Sequence, residues 1–158
     1  MQKPSNKKPY YFYFDALTHY VIKTNETELE ELEFKQKPNE TDILLSSILF
    51  KNELPNKLSS VAFIKALPQL GFQKKAISAK HFYAINELFK ERDNQNIEEP
   101  YCGAVYRDVL VFYKERKITG IVKLCFSCGH HYIFGTKKNT SNFAQKGNFK
   151  KIQQLLNS

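Results

Sequence analysis

"AVYRDVLVFYKERKITGIVKLCF", residues 104–126, decides the fold. Two runs rich in Val, Ile, Leu, Phe and Tyr flank the polar tetrapeptide 114–117, the pattern of an antiparallel β-hairpin. β-Branched and aromatic side chains suit a pleated surface, whereas a tight reversal favours residues that stay in water. Alternation puts Val105, Val109 and Val111 on one face and Tyr106, Leu110 and Phe112 on the other. With both faces apolar, this is a central strand covered on both sides, with helices on at least one of them.

Working outward, residues 16–23 read as a second strand, with Leu17, His19 and Val21 opposite in facing to Thr18, Tyr20 and Ile22. "TNET" reads as a turn, and "ELEELEFKQ" returns as an acid-rich edge strand in preference to a short helix. The middle is helical. Thr41-Asp42 caps "ILLSSILFKN", which Pro55 stops, and Ser59 or Ser60 opens "VAFIKAL", which Pro68 stops. Gly71 marks a turn, and Ser78 caps "AKHFYAINELFKERD", where Phe82, Ile85, Leu88 and Phe89 recur at helical spacing. Residues 93–100 form a loop, and "NFKKIQQLLN" closes the chain as an amphipathic helix with Phe149, Ile152 and Leu155 or Leu156 inward. The fold class is α+β: a single domain over 10–158, its antiparallel sheet built around the 104–126 hairpin, after a flexible lead-in at 1–9.

A chain of 158 residues with 42% apolar content buries about 70% of its unfolded surface, so no cofactor is needed to explain folding. The absence of a signal-like leader and of any long uncharged apolar stretch makes the expectation cytoplasmic, with no membrane span. The net charge is +8, unevenly spread. Residues 24–53 carry three Lys and eight acids, whereas residues 101–158 carry ten bases and two acids. Such a field attracts acidic partners and phosphates, and it also keeps a protein soluble. Lys137, Lys138, Lys146, Lys150 and Lys151 alternate with Phe143 and Phe149 in the basic tail. Without a recognisable nucleic-acid-binding motif, this reads as a solvated face rather than a nucleic-acid interface.

The chemistry gathers at one end of the hairpin. A turn centred on Glu115-Arg116 sets Asp108 opposite Lys123 as a cross-strand ion pair, Tyr106 opposite Cys125, and Cys102 opposite Gly129. Cys102, Cys125 and Cys128 then meet, with His130 and His131 beside them. Three arrangements fit these residue types. A structural zinc would take four N/S ligands from Cys102, Cys125, Cys128 and His130 or His131. A redox pair would use Cys125 and Cys128, although this C-x-x-C ends a strand rather than opening a helix. The third is plain packing of small apolar thiols, with or without one disulfide between Cys102 and Cys128. His19 and His81 read as surface or satisfied core residues, and Arg107 as a charge reaching water or lining an anion pocket beside Tyr106.

Cys102, "YRDVLVFY", "KITGIVKLCFSCGHHYIFGT" and "FAQKGNFKKIQQLL" resemble a group of small bacterial proteins of Bacteroidetes type. These share a cysteine before the first strand, C-F-x-C at the end of the second and a short C-terminal helix. The resemblance covers residues 100–156 and implies that the cysteine corner is a family feature; it implies no activity. No nucleophile elbow, Walker loop, G-x-G-x-x-G or H-E-x-x-H occurs. The leading expectation is a non-enzymatic binding or interaction protein whose Cys/His corner serves stability. The alternatives are a zinc- or thiol-dependent enzyme centred on Cys125, Cys128, His130 and His131, and, more weakly, nucleic-acid binding.

Overall fold

The computed structural model describes residues 8–57, 61–93, 102–143 and 147–158. The expected caps Ser59 and Ser60, most of the 93–100 loop, Lys146 and residues 1–7 of the lead-in lie outside these. Strands β1 (Ala16–Val21), β2 (Gln73–Ala76), β3 (Asp108–Lys114), β4 (Lys117–Cys125) and β5 (His130–Phe134) form one antiparallel sheet in the order β2-β1-β3-β4-β5. Helices α1 (Glu26–Glu33), α2 (Glu40–Phe50), α3 (Val61–Gln69), α4 (Phe82–Leu88) and α5 (Asn148–Leu156) flank it. The fold is therefore α+β, as the sequence predicts. Among the described residues, no helix is long and apolar enough to cross a membrane.

The hairpin strand is central and buried on both faces, for the reason its composition gives. On one face Val109, Val111, Ile121 and Tyr20 meet Leu29 of α1, Ile48 and Leu49 of α2, and Phe63 and Leu67 of α3. On the other, Leu17, Leu110, Phe112, Val122 and Leu124 meet Ile85 and Leu88 of α4 and Ile152 and Leu156 of α5. Aromatic rings fill this second layer: Phe112 packs on Phe12, Phe14 and Phe89 at centroid distances of 4.8, 4.9 and 5.3 Å.

The turn falls at Glu115-Arg116 as expected, both residues in the left-handed region (φ 50° and 67°). Two residues of positive φ give a reversal whose twist matches the flanking strands. Beyond it the register slips by one. Tyr113 pairs with Ile118 but Phe112 with Gly120, leaving Thr119 as the extra residue of a bulge. Gly120 is required here because the Phe12 ring occupies the space that a Cβ would need. The slip overturns the expected Asp108–Lys123 pair: Asp108 lies opposite Leu124, and Lys123 opposite Val109. Because side chains alternate with period two, one residue of slip places these two charges on opposite faces.

Other differences have local causes. The acid-rich segment forms α1 rather than an edge strand, because Asn25 and Glu28 make a reciprocal capping box (Glu28 N to Asn25 Oδ1, 2.8 Å; Asn25 N to Glu28 Oε2, 3.3 Å). α2 starts a few residues earlier than expected, on an equivalent Asn39/Asp42 box. The Ser78 side chain makes no cap bond; a 3₁₀ turn over Ala79–His81 leads into α4, which ends at Leu88. Lys8 and Pro9, expected within the flexible lead-in, are tied down: the Glu91 N–H donates to the Pro9 carbonyl at 2.9 Å, and Lys8 pairs with Asp93 at 2.6 Å. β2, whose Lys74 and Lys75 carry no apolar pattern, and β5, bounded by Gly129 and Gly135, extend the sheet beyond the strands expected.

Candidate functional site

The three cysteines do meet at the open end of the hairpin. Cys102 and Cys128 are joined as a disulfide across 26 residues, with Cα atoms 6.0 Å apart. Cys125, the last residue of β4, is a free thiol and buried. Its Sγ lies 3.3 Å from the Ser127 hydroxyl, which in turn donates to Cys128 Sγ at 3.9 Å. β5 separates the two histidines, since neighbours on a strand point to opposite faces. His130 is paired opposite Cys125, and its Nε2 lies 2.6 Å from the Cys102 carbonyl oxygen. His131 packs edge-on against Phe143 at 5.0 Å and leans on Phe149; burial pushes its pKa below the usual imidazole value, partly opposed by a bond to the Thr140 backbone. Among the described residues, no group of three or more His, Cys, Asp and Glu side chains is placed to hold a metal ion.

The feature that sequence reasoning missed is Lys123. The slipped register turns it into the layer between the sheet and α2, where it is fully buried. Its ammonium donates to the Ile48 carbonyl at 2.9 Å and the Lys51 carbonyl at 2.6 Å. Both belong to the C-terminal end of α2, where carbonyls have no intrahelical donor and the helix dipole is negative. α2 has no basic residue of its own in that turn. The Tyr106 N–H completes the cap by donating to the Leu49 carbonyl at 2.8 Å. Tyr106 and Tyr132 present their rings to the ammonium at 4.8 and 5.1 Å, while their hydroxyls bond Asn52 Oδ1 and the Pro55 carbonyl. A tight turn, Arg107 N–H to the Val105 carbonyl at 3.1 Å, breaks the alternation before β3 and swings Tyr106 toward Lys123 instead of the Leu110 face. Burial lowers the Lys123 pKa from 10.5 to about 7, with Glu53 opposing. Isolated glycine in a strand is the usual sign of a bulge, so Gly120 was the available clue.

His19 is likewise satisfied. Its Nε2 lies 2.7 Å from Asp108 Oδ1, a buried pair across β1 and β3. His81 Nε2 is 3.1 Å from the Ser158 hydroxyl. In the basic tail Lys137, Lys138, Lys150 and Lys151 are exposed, but Phe143 is fully buried and Phe149 packs on the same core, so neither ring is a free stacking platform.

An open groove of about 630 Å³ lies between the end of β1, α1, α2 and the turn after α3. Ile22, Leu29, Leu32, Leu45, Leu49 and Leu70 supply its apolar surface. Lys23, Glu28, Glu31 and the Lys35–Asp42 ion pair (2.7 Å) supply its polar edge. Phe34 and Ile43, on the same two-helix unit, are 74% and 53% exposed. No protein-family model, curated protein or solved structure matches the chain.

Proposed function

We propose that this is a binding protein whose ligand site is the groove between α1 and α2, and whose cysteine corner serves stability. The observation that carries this reading is the groove itself. Three of the polar groups singled out from the sequence are spent on neighbours: Cys102 on Cys128, His19 on Asp108, and Lys123 on the end of α2. The groove instead offers the partly exposed Leu32, Leu45 and Leu70 to solvent beside its charges, over a floor of buried Ile22, Leu29 and Leu49, with Phe34 and Ile43 exposed on the same helices. Whole-chain charge favours acidic partners, but residues 24–53, which build α1 and α2, hold eight acids against three lysines. The occupant that fits is a peptide segment with apolar side chains on one side and lysine or arginine on the other, laid into the groove as an amphipathic helix.

The test is calorimetric titration with a synthetic leucine/lysine amphipathic peptide, alongside its leucine/glutamate counterpart. One-to-one binding of the basic peptide, weakened by salt and lost in Leu45→Arg with the fold retained, supports the reading. Equal binding by the wild type and Leu45→Arg overturns it, as does no binding at millimolar peptide. The Cys102–Cys128 disulfide also favours an oxidising compartment, so we expect the protein to work in one rather than in the cytoplasm.

A further inference from the structure

We infer that the open end of the hairpin is an internal thiol–disulfide exchange site, in which Cys125 can replace Cys102 as the partner of Cys128. Three observations carry this. The free thiol and the disulfide occupy one turn: the Gly129 N–H donates to the Cys125 carbonyl at 2.9 Å, closing a helix-like reversal over 125–129. Cys125 ends β4 and Cys128 lies three residues on, inside the four-residue turn that leads to β5 at His130, so both sulfurs belong to one short loop. The Ser127 hydroxyl lies within 3.3 Å of Cys125 Sγ and 3.9 Å of Cys128 Sγ, so one polar group connects the attacking sulfur with the sulfur attacked. The third sulfur belongs to Cys102, an exposed residue, where a departing thiolate meets water.

The step balances without an outside oxidant or reductant. The buried Cys125 gives its proton to water by way of the exposed Ser127 hydroxyl, and the thiolate lone pair attacks Cys128 Sγ. The Cys125–Cys128 bond forms as the Cys102–Cys128 bond breaks, and the electron pair leaves on Cys102, which takes a proton from solvent. One disulfide and one thiol remain. The free thiol, however, moves from a position only 1% exposed to the protein surface. There it is open to an external disulfide or electrophile that the buried Cys125 excludes.

N-Ethylmaleimide labelling of the native protein at pH 8, followed by acid quench and disulfide mapping, tests this. The expected product carries the label on Cys102 and a Cys125–Cys128 disulfide in the same molecule. A label on Cys125 with Cys102–Cys128 intact overturns the exchange, because it reports simple opening of the core. No label within a time that fully modifies denatured protein also overturns it. Cys102→Ser supplies a second reading: treated with oxidised glutathione, it should form Cys125–Cys128, and two persistent thiols would show that the turn forbids the bond.

Discussion

Lys123→Met puts the buried ammonium to the test, and the informative quantity is its pH dependence. The substitution keeps the length of the side chain and removes its charge. It leaves the Ile48 and Lys51 carbonyls without their donor, at about 1–3 kcal/mol each. It also abolishes the cost of burying a cation. Taking the fall from 10.5 to about 7, that cost is about 5 kcal/mol while the folded protein holds the proton. At neutral pH the two effects nearly cancel, so a single stability measurement decides nothing.

The sign along the pH axis is decisive. The folded pKa lies below the unfolded one, so both states are charged below about pH 7 and the penalty is complete there. Between about 7 and 10.5 the unfolded chain holds a proton that the folded protein lacks, and stability climbs with pH. From pH 7 to 9.5 the wild type should gain about 3 kcal/mol relative to Lys123→Met, read from urea denaturation of both proteins at each pH. A difference that stays flat within about 1 kcal/mol would refute the reasoning. It would mean that two carbonyls and two aromatic faces outweigh desolvation, and that the folded protein keeps Lys123 charged throughout.

Other outcomes follow from single contacts. Gly120→Ala drives a methyl group into the Phe12 ring and should lower stability by about 1–3 kcal/mol, recovered in part by Phe12→Leu; thermal melts compare the three proteins. Asp108→Ala leaves His19 buried without its partner and should cost about 1–3 kcal/mol by chemical denaturation, while Lys123→Ala alone leaves the His19 pair intact. Glu115→Asn with Arg116→Gly suits both positive-φ positions and should add about 1–2 kcal/mol to stability. Cys128→Ser releases a closure of 26 residues and should cost about 3.5 kcal/mol under oxidising conditions, with no difference from the wild type once both are reduced.

The parts of this fold that were legible share a cause: their side chains state both periodicity and burial. β3 and β4 carry apolar residues on both faces, and α5 places Ile152 and Leu156 one turn apart. β2 was illegible because an edge strand of four exposed residues is held by backbone pairing to β1, which no side-chain pattern records. α1 misleads through its acids, although Leu29 and Leu32 are three apart and the Asn25/Glu28 box is present in the text of the sequence. The groove is built partly on α1, so taking that segment for a strand hides the groove as well.

The cysteine corner and Lys123 show how differently two inferences from one hairpin tolerate error. Cys102 reaches Cys128 despite the slip, because a disulfide needs only the correct end of the hairpin. A cross-strand ion pair needs the correct face, and period-two alternation makes a face all-or-none. Thr119 therefore leaves the disulfide untouched, yet sends Lys123 from an expected cross-strand pair with Asp108 into the end of α2. The bulge thus couples the sheet to the helix that walls the proposed groove. Lys123→Met should therefore loosen α2 selectively, raising hydrogen exchange at 48–52 above that of the β3–β4 core while the sheet register is retained. Uniform protection across α2 and the sheet would instead show that the helix is held by its apolar face alone.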